Sequence, residues 1–249
     1  MKIDFCLPVK NEEAILESNA LKLERFLKEA GFKFDWKIII IVNGSNDKSA
    51  EIAKKLQNIS NHCVFEAMIL EKGGKGLALK EYFKSTSADA FVFMDIDLAV
   101  SLDNISLLLD PFINNNADLV MGSRLLKGSN TSRSWWRELT SRIYNQLSRL
   151  ILRHNYRDLQ CGFKIIKKHV FDNVKPFLKD DNWFFDTELI IISHRQGAKI
   201  VEIPVDWQES RYEKRKSKIR AIPDAWSFIK NLYLFRRRLS KLKIYRDNV

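Results

Sequence analysis

Short, continuous apolar runs alternate with amphipathic stretches along the first half of the chain. Residues 3–9, 37–42, 64–70, 90–94 and 119–121 have the β-branched, apolar character of strands buried on both faces. Residues 12–30, 48–57, 76–83 and 102–114, between them, read as helices. This alternation predicts an α/β fold with a parallel, doubly wound sheet, whose chemistry sits at the carboxyl ends of its strands. Beyond Arg124 the rhythm changes: a long helix is expected over about 135–153, then the segment 158–167, an apolar helix over about 186–194 and a strand over 199–205. No Pro/Gly/Ser linker, repeat or low-complexity tract interrupts the chain. Residues 1–210 therefore read as one domain and residues 211–249 as a C-terminal appendage.

Length and composition, 249 residues with 45% hydrophobic and 29% charged, allow one large α/β domain or two small ones, with a sizeable buried core. Nine Gly and five Pro are few for this length, which favours long regular elements over many-turned or linker-rich architectures. Cys6, Cys63 and Cys161 form no CxxC pair. Neither a disulfide framework nor a structural zinc site is indicated, and a reducing compartment is expected. The net charge of +11 is unevenly spread: residues 211–249 carry 13 Lys and Arg against 3 Asp and Glu, whereas residues 1–210 carry 29 against 28. A basic tail attracts a polyanion, either nucleic acid or the anionic face of a membrane. No apolar run approaches the roughly 18 residues that span a bilayer, and the first ten residues lack an apolar stretch of signal-peptide length. The expectation is a cytoplasmic protein, soluble or peripherally associated with a membrane.

Four polar segments follow the strands, at residues 8–12, 43–47, 73–76 and 95–97. Asn11 or Asn46 as a helix cap and Gly44 as a turn residue would account for part of this punctuation. The glycine-rich segment lacks GxxxxGK[ST] spacing, which sets aside a Walker-type nucleotidase. Its amides and Lys75 can meet a diphosphate or simply cap the helix. Asp95 and Asp97 are the sharper signal, because they end an apolar strand where an unpartnered carboxylate is expensive. Alternate strand residues share a face, so the pair can hold Mg²⁺ or Mn²⁺ and, through it, the phosphates of a nucleotide. The plainer alternative is two acids emerging into solvent.

Taken in order, Pro8-x-x-Asn11-Glu12, Gly44-Ser45-x-Asp47, Gly74-Lys75-Gly76 and Asp95-x-Asp97 resemble the nucleotide-sugar half of family 2 glycosyltransferases of the GT-A fold. The later segments GSR (122–124), RSWWR (133–137), RDLQCGFK (157–164) and WFFDTEL (183–189) look like the polyprenyl-phosphate glycosyltransferases. Among these, the dolichyl-phosphate β-glucosyltransferases are most similar, followed by the mannose synthases. The resemblance covers roughly residues 3–220. It implies a Rossmann-like, mostly parallel sheet flanked by helices, with Pro8, Asn11 and Glu12 bordering the nucleotide base. Asn43 would replace a base-contacting Asp, and Asp95 and Asp97 would hold metal and diphosphate. Two departures stand out: Asn43 itself, which leaves base choice open, and Ala99 where many members have Gln, which leaves the third metal ligand open.

On the acceptor side, Arg124, Arg137 and Ser141 match positions that grip a lipid phosphate. Paired guanidinium donors suit that role, although a surface cation is the commoner fate of an arginine. Asp158 matches an Asp near the reacting phosphate; a helix cap or a partner for Arg157 is the alternative. Gln160, Gly162, Phe163 and Lys164 are expected to shape a turn, and Cys161 to be a small buried residue. Asp186 and Glu188 could face the sugar or cap a helix.

In the tail, Trp226, Ile229, Leu232, Phe235, Leu239 and Leu242 fall three or four apart with cations between them, an amphipathic helix with a basic rim. Such a helix can lie in an anionic membrane interface, or its stripe can pack on the domain. Ahead of it, residues 211–218 form a basic loop. By resemblance, Arg211 or Arg215, with Ser217 and Lys218, would close over donor and acceptor phosphates. A nucleic-acid groove is the competing reading, but no standard nucleic-acid motif appears. The implied activity is inverting transfer of a hexose from a nucleotide sugar to dolichyl or polyprenyl phosphate, with UDP-glucose the first choice, GDP-mannose the second and UDP-N-acetylglucosamine the third. A soluble saccharide or protein acceptor is the alternative.

Overall fold

A computed structural model describes residues 1–59, 64–132, 134–208 and 221–242, apart from the side chains of Arg137 and of residues 221–229. The strands are β1 (Lys2–Val9), β2 (Asp35–Asn43), β3 (Phe65–Leu70), β4 (Ala90–Met94), β5 (Leu119–Ser123), β6 (Asn130–Ser132), β7 (Phe163–Lys167), β8 (Ile200–Pro204) and β9 (Asp206–Gln208). The helices are α1 (Leu16–Ala30), α2 (Ser49–Ile59), α3 (Lys75–Ser85), α4 (Asn104–Ile113), α5 (Trp135–Leu152), α6 (Lys168–Val174), α7 (Phe185–Arg195) and α8 (Ala221–Lys241).

Seven strands form one sheet in the order β3-β2-β1-β4-β7-β5-β8. All neighbours run parallel except β7, which lies antiparallel between β4 and β5. The sheet is thus mostly parallel, with one reversed strand drawn from the segment 158–167. A second, two-stranded ribbon pairs β6 with β9. Alternate strand residues feed two cores: Ile38, Ile40 and Val92 meet α1, α2 and α4, while Ile39, Ile41, Phe91 and Phe93 meet α3, α6 and α7. This explains why the strand sequences are apolar without alternation.

Helix α1 begins at Leu16, later than the residue 12 expected. Residues 11–15 are held in a loop by the segment after β2: Asn11 N–H donates to Ser45 Oγ (3.0 Å), Glu12 N–H to Ser49 Oγ (3.0 Å) and Glu13 N–H to Asp47 Oδ2 (3.0 Å). In return, Asn46 N–H donates to Asn11 Oδ1 (2.7 Å) and Lys48 N–H to Glu13 Oε2 (2.8 Å). The first two polar motifs are therefore a reciprocal latch.

For the tail stripe, the structure realises the packing alternative. Leu232, Phe235 and Leu239 are buried in the α3/α7 core, Phe235 meets Phe184 edge-on at 5.7 Å, and Arg238 pairs with buried Glu188. The described part of that stripe is covered by protein and so is not the surface a bilayer would meet. Among the described residues, no helix is long and apolar enough to cross a membrane. Phe235→Ala is expected to lower unfolding free energy by about 3 kcal/mol, read by urea denaturation; a loss below about 0.5 kcal/mol, usual for surface positions, would show that α8 is not docked.

Candidate active site

The wholly buried strand β4 delivers Asp95 and Asp97 to the carboxyl edge of the sheet. They line a small cleft with Ala99, Val100, Gly162 and Trp207. Asp95 is 43% exposed, and Asp97 Oδ1 accepts Ala99 N–H at 3.1 Å. The antiparallel pairing of Met94 with Phe163 sets Gly162 beside Asp95, where an added Cβ would fall 2.2 Å from Asp95 Oδ2. Gly162 therefore leaves room for the carboxylate as well as shaping the turn.

Behind Asp95 runs a chain of alternating charge. Lys75 Nζ lies 3.3 Å from Asp95 and 3.4 Å from buried Asp186, which takes a 2.6 Å bond from fully buried Lys164. Lys164 also donates to the Cys161 carbonyl. Burial works against the charge on Lys75, but Asp186 and then Asp95 outweigh it and hold the ammonium above its ordinary pKa. Burial likewise opposes the charge on Asp186, and Lys164 and Lys75 pull its carboxyl below the usual range. Neither alternative expected for Asp186, facing a sugar or capping a helix, describes this interior pair. Glu188 is also buried, accepting Lys179 N–H (2.6 Å) and Asp180 N–H (2.9 Å).

Lys75 opens α3 because the preceding loop is tied to the strand ends. Asn43 Nδ2 donates to the carbonyls of Val9 (2.9 Å) and Ile41 (3.3 Å), while Asn43 Oδ1 accepts Gly74 N–H (2.9 Å). An Asp here could not donate to Val9, which gives Asn43 an internal reason. Gly44, at φ 58°, lets the segment containing Gly73 approach so closely that a Cβ would sit 2.5 Å from Gly73 N. Pro8 is half-buried at the end of β1, Asn11 is exposed and Glu12 is buried.

Beside Trp207, Arg124 and Asp158 form a forked pair. Arg124 Nε donates to Asp158 Oδ2 (2.7 Å), a terminal guanidinium nitrogen to Oδ1 (2.9 Å), and Arg124 N–H to Oδ2 (3.1 Å). Asp158 is fully buried, which opposes its charge, but Arg124 holds its carboxyl down at about 2, from an ordinary 3.8. Its arginine partner is Arg124 and not the adjacent Arg157. The guanidinium lies 5.7 Å from the Trp207 ring centre, so Trp207 links the acid-lined cleft to the arginine. Ser141, on α5, joins this neighbourhood through Asn145, which donates to the Ser141 carbonyl (3.0 Å) and accepts Leu159 N–H (3.1 Å). Gln160 is fixed to Thr187 at 2.7 Å. The side chain of Arg137, and Arg211, Arg215, Ser217 and Lys218, lie outside the described residues.

Sequence reasoning missed Trp207 and the buried role of Lys164. Trp207 sits in β9, just past β8, where the rule of inspecting residues after each strand would have found it. Lys164 carried no signal of its own, because its partner Asp186 is 22 positions away.

A mostly parallel sheet with one reversed strand and an acidic pair at the end of its central strand is the architecture of GT-A glycosyltransferases. The chain belongs to the glycosyl transferase family 2, whose model matches residues 4–175, and is accordingly an enzyme. It is 31% identical over 212 residues to glycosyltransferase AglD of Haloferax volcanii, a match covering 84% of this chain and 33% of that protein. It is 28% identical over 245 residues to the dolichyl-phosphate beta-glucosyltransferase of Saccharomyces cerevisiae, covering 90% of this chain and 70% of the yeast protein. The chain thus spans about a third of the archaeal relative and about two thirds of the yeast one. Glucosyl-3-phosphoglycerate synthase of Mycobacterium tuberculosis, solved with Mn²⁺, UDP-glucose and phosphoglyceric acid, superposes with TM-score 0.65 at 17% identity, covering 94% of this chain and 79% of that one. At such identity the likeness establishes the fold alone.

Two substitutions probe this geometry. Asp158→Asn should cost about 3 kcal/mol at pH 7, because Arg124, only 15% exposed, keeps its charge without its counter-ion. Since the folded carboxyl titrates below its unfolded value, the wild-type advantage should persist above pH 4 and vanish as pH falls towards about 2, as followed by denaturation across pH. Gly162→Ala should displace Asp95 and lower transferase turnover about a hundredfold with the unfolding midpoint little changed; wild-type turnover would mean that Asp95 placement is immaterial.

Proposed function

We propose that this enzyme transfers a hexose, with inversion, from a nucleoside diphosphate sugar to a dolichyl or polyprenyl phosphate, with UDP-glucose the first donor to test and GDP-mannose the second. The observation that carries the reading is the cleft itself, lined by the two acids, with a half-buried arginine held by Asp158 beyond Trp207. The names of the glucosyltransferase relatives support the same acceptor class.

Asp95 and Asp97 suit a hard divalent cation, Mg²⁺ or Mn²⁺, that takes one or two carboxylates and completes its shell with substrate phosphates and water. When bound, such an ion supplies positive charge to the departing diphosphate. Lys75, next to Asp95 at the start of α3, adds a protein cation on the same side. Pro8, Asn11, Glu12 and Asn43 form or support the base-side wall.

Arg124, held by Asp158, positions the acceptor phosphate, with Arg137 and Ser141 on α5 as its companions and with Arg211 or Arg215, Ser217 and Lys218 closing from the basic loop. A phosphate monoester has a second pKa of about 6 and is mostly dianionic at neutral pH, so orientation and not deprotonation limits its attack. A saccharide hydroxyl would need a base. Asp158 has both oxygens engaged by Arg124 and Asp186 is enclosed by two lysines, an arrangement that favours the phosphate acceptor.

Incubation with labelled nucleotide sugars, polyprenyl phosphate and Mg²⁺ or Mn²⁺ should place label in the organic phase. Asp97→Ala should cut that transfer at least about a hundredfold without moving the unfolding midpoint. Label appearing only on water-soluble saccharides would overturn the acceptor assignment, and undiminished transfer by Asp97→Ala would overturn the metal assignment.

A further inference from the structure

Helix α5 presents two unlike faces. Towards the protein, Asn145, Ser148 and Leu152 are buried, and Asn145 connects the helix to the segment carrying Asp158. Away from it, Trp135 (63% exposed), Trp136 (60%), Leu139, Ile143 and Leu150 (72%) are open. At about 100° per residue these five fall within a single arc of about 100°. The two tryptophans stack, ring centres 3.8 Å apart. Helix α8 does not cover this arc: it packs where Tyr144, Leu147 and Ile151 join the core around Leu232, Phe235 and Leu239. An exposed, mainly apolar arc of this kind, interrupted by Gln146, on a charged protein marks a contact surface.

We infer that the outer arc of α5, and not the apolar stripe of α8, is the surface that lies in an anionic lipid bilayer. Charge selects this occupant over a second protein. The chain carries +11 overall, with 13 cations against 3 acids beyond residue 210. Arg149 on α5, next to the arc, and Lys230, Arg237 and Lys241 on the neighbouring helix α8 are exposed, cations suited to anionic headgroups. Tryptophan, apolar in body with one polar N–H, belongs at the lipid–water boundary. The inference deepens the lipid-phosphate reading and rests on it: one helix would set its outer arc into the interface while Ser141, on its other side, meets the phosphate arriving there.

The test is flotation of the full chain with phosphatidylcholine vesicles, with and without phosphatidylglycerol, and no acceptor or donor. The wild type should bind the anionic vesicles, and Trp135→Ser/Trp136→Ser should weaken binding about tenfold or more; Leu139→Ser/Ile143→Ser is the second, independent variant. Acyl-chain bromination should quench wild-type tryptophan fluorescence and quench the tryptophan variant less. Unchanged flotation of both variants would overturn the inference. So would light scattering that shows a wild-type dimer converted to monomer by the same substitutions, with no vesicle binding by either. Transfer to a short-chain, water-soluble prenyl phosphate separates the two claims: its failure alongside normal vesicle binding would remove the acceptor assignment and leave the membrane surface standing.

Discussion

A carboxylate buried in a core is tolerable only if opposite charge is built in beside it, and that constraint shapes the core next to this site. Asp95 meets Lys75, Lys75 meets Asp186, and Asp186 meets Lys164, so charge alternates from the half-exposed rim to the fully buried interior. Each buried ion has a partner on each side that its geometry allows, which is the condition under which such charges persist at all. The chain also fixes α3, β7 and α7 relative to β4. The site is therefore an outcome of core packing and not a graft on a loop.

The same economy governs the arginine next to Trp207. Asp158 has no exposure, and its oxygens are occupied by the side chain and amide of Arg124. In the proposed mechanism it would act on chemistry through the arginine it orients. Glu202 accepts the amides of Arg157 and Asp158, and Asn145 accepts that of Leu159, so the segment 157–160 is held from β8 and α5 together. A guanidinium fixed in this way loses little freedom when it meets an anion, which is what a positioning mechanism requires.

Strand positions were legible because burial on both faces leaves an unbroken apolar run, as in β4. The motifs at strand ends were legible as a set. Their partners were not. That Asn11 interlocks with Ser45 and Asn46, that Asp158 pairs with Arg124, and that Lys164 pairs with Asp186 are long-range facts which local pattern does not carry. Strand β7 hid in a segment where Gly162 and Cys161 broke the pattern, and its antiparallel pairing with β4 and β5 is likewise a long-range fact. The stripe of α8 was visible, yet periodicity alone could not say whether Leu232, Phe235 and Leu239 faced lipid or protein. Trp207 escaped because it stands alone in a three-residue strand.

The central claim is that donor phosphates and acceptor phosphate meet between Asp95/Asp97 and Arg124. An experimental structure of the protein with Mn²⁺, a nucleoside diphosphate and a short-chain prenyl phosphate tests it most directly. The account predicts anomalous manganese signal at the two aspartates and the prenyl phosphate within hydrogen-bond reach of Arg124. Manganese bound elsewhere, or a phosphate seated away from Arg124, would contradict it.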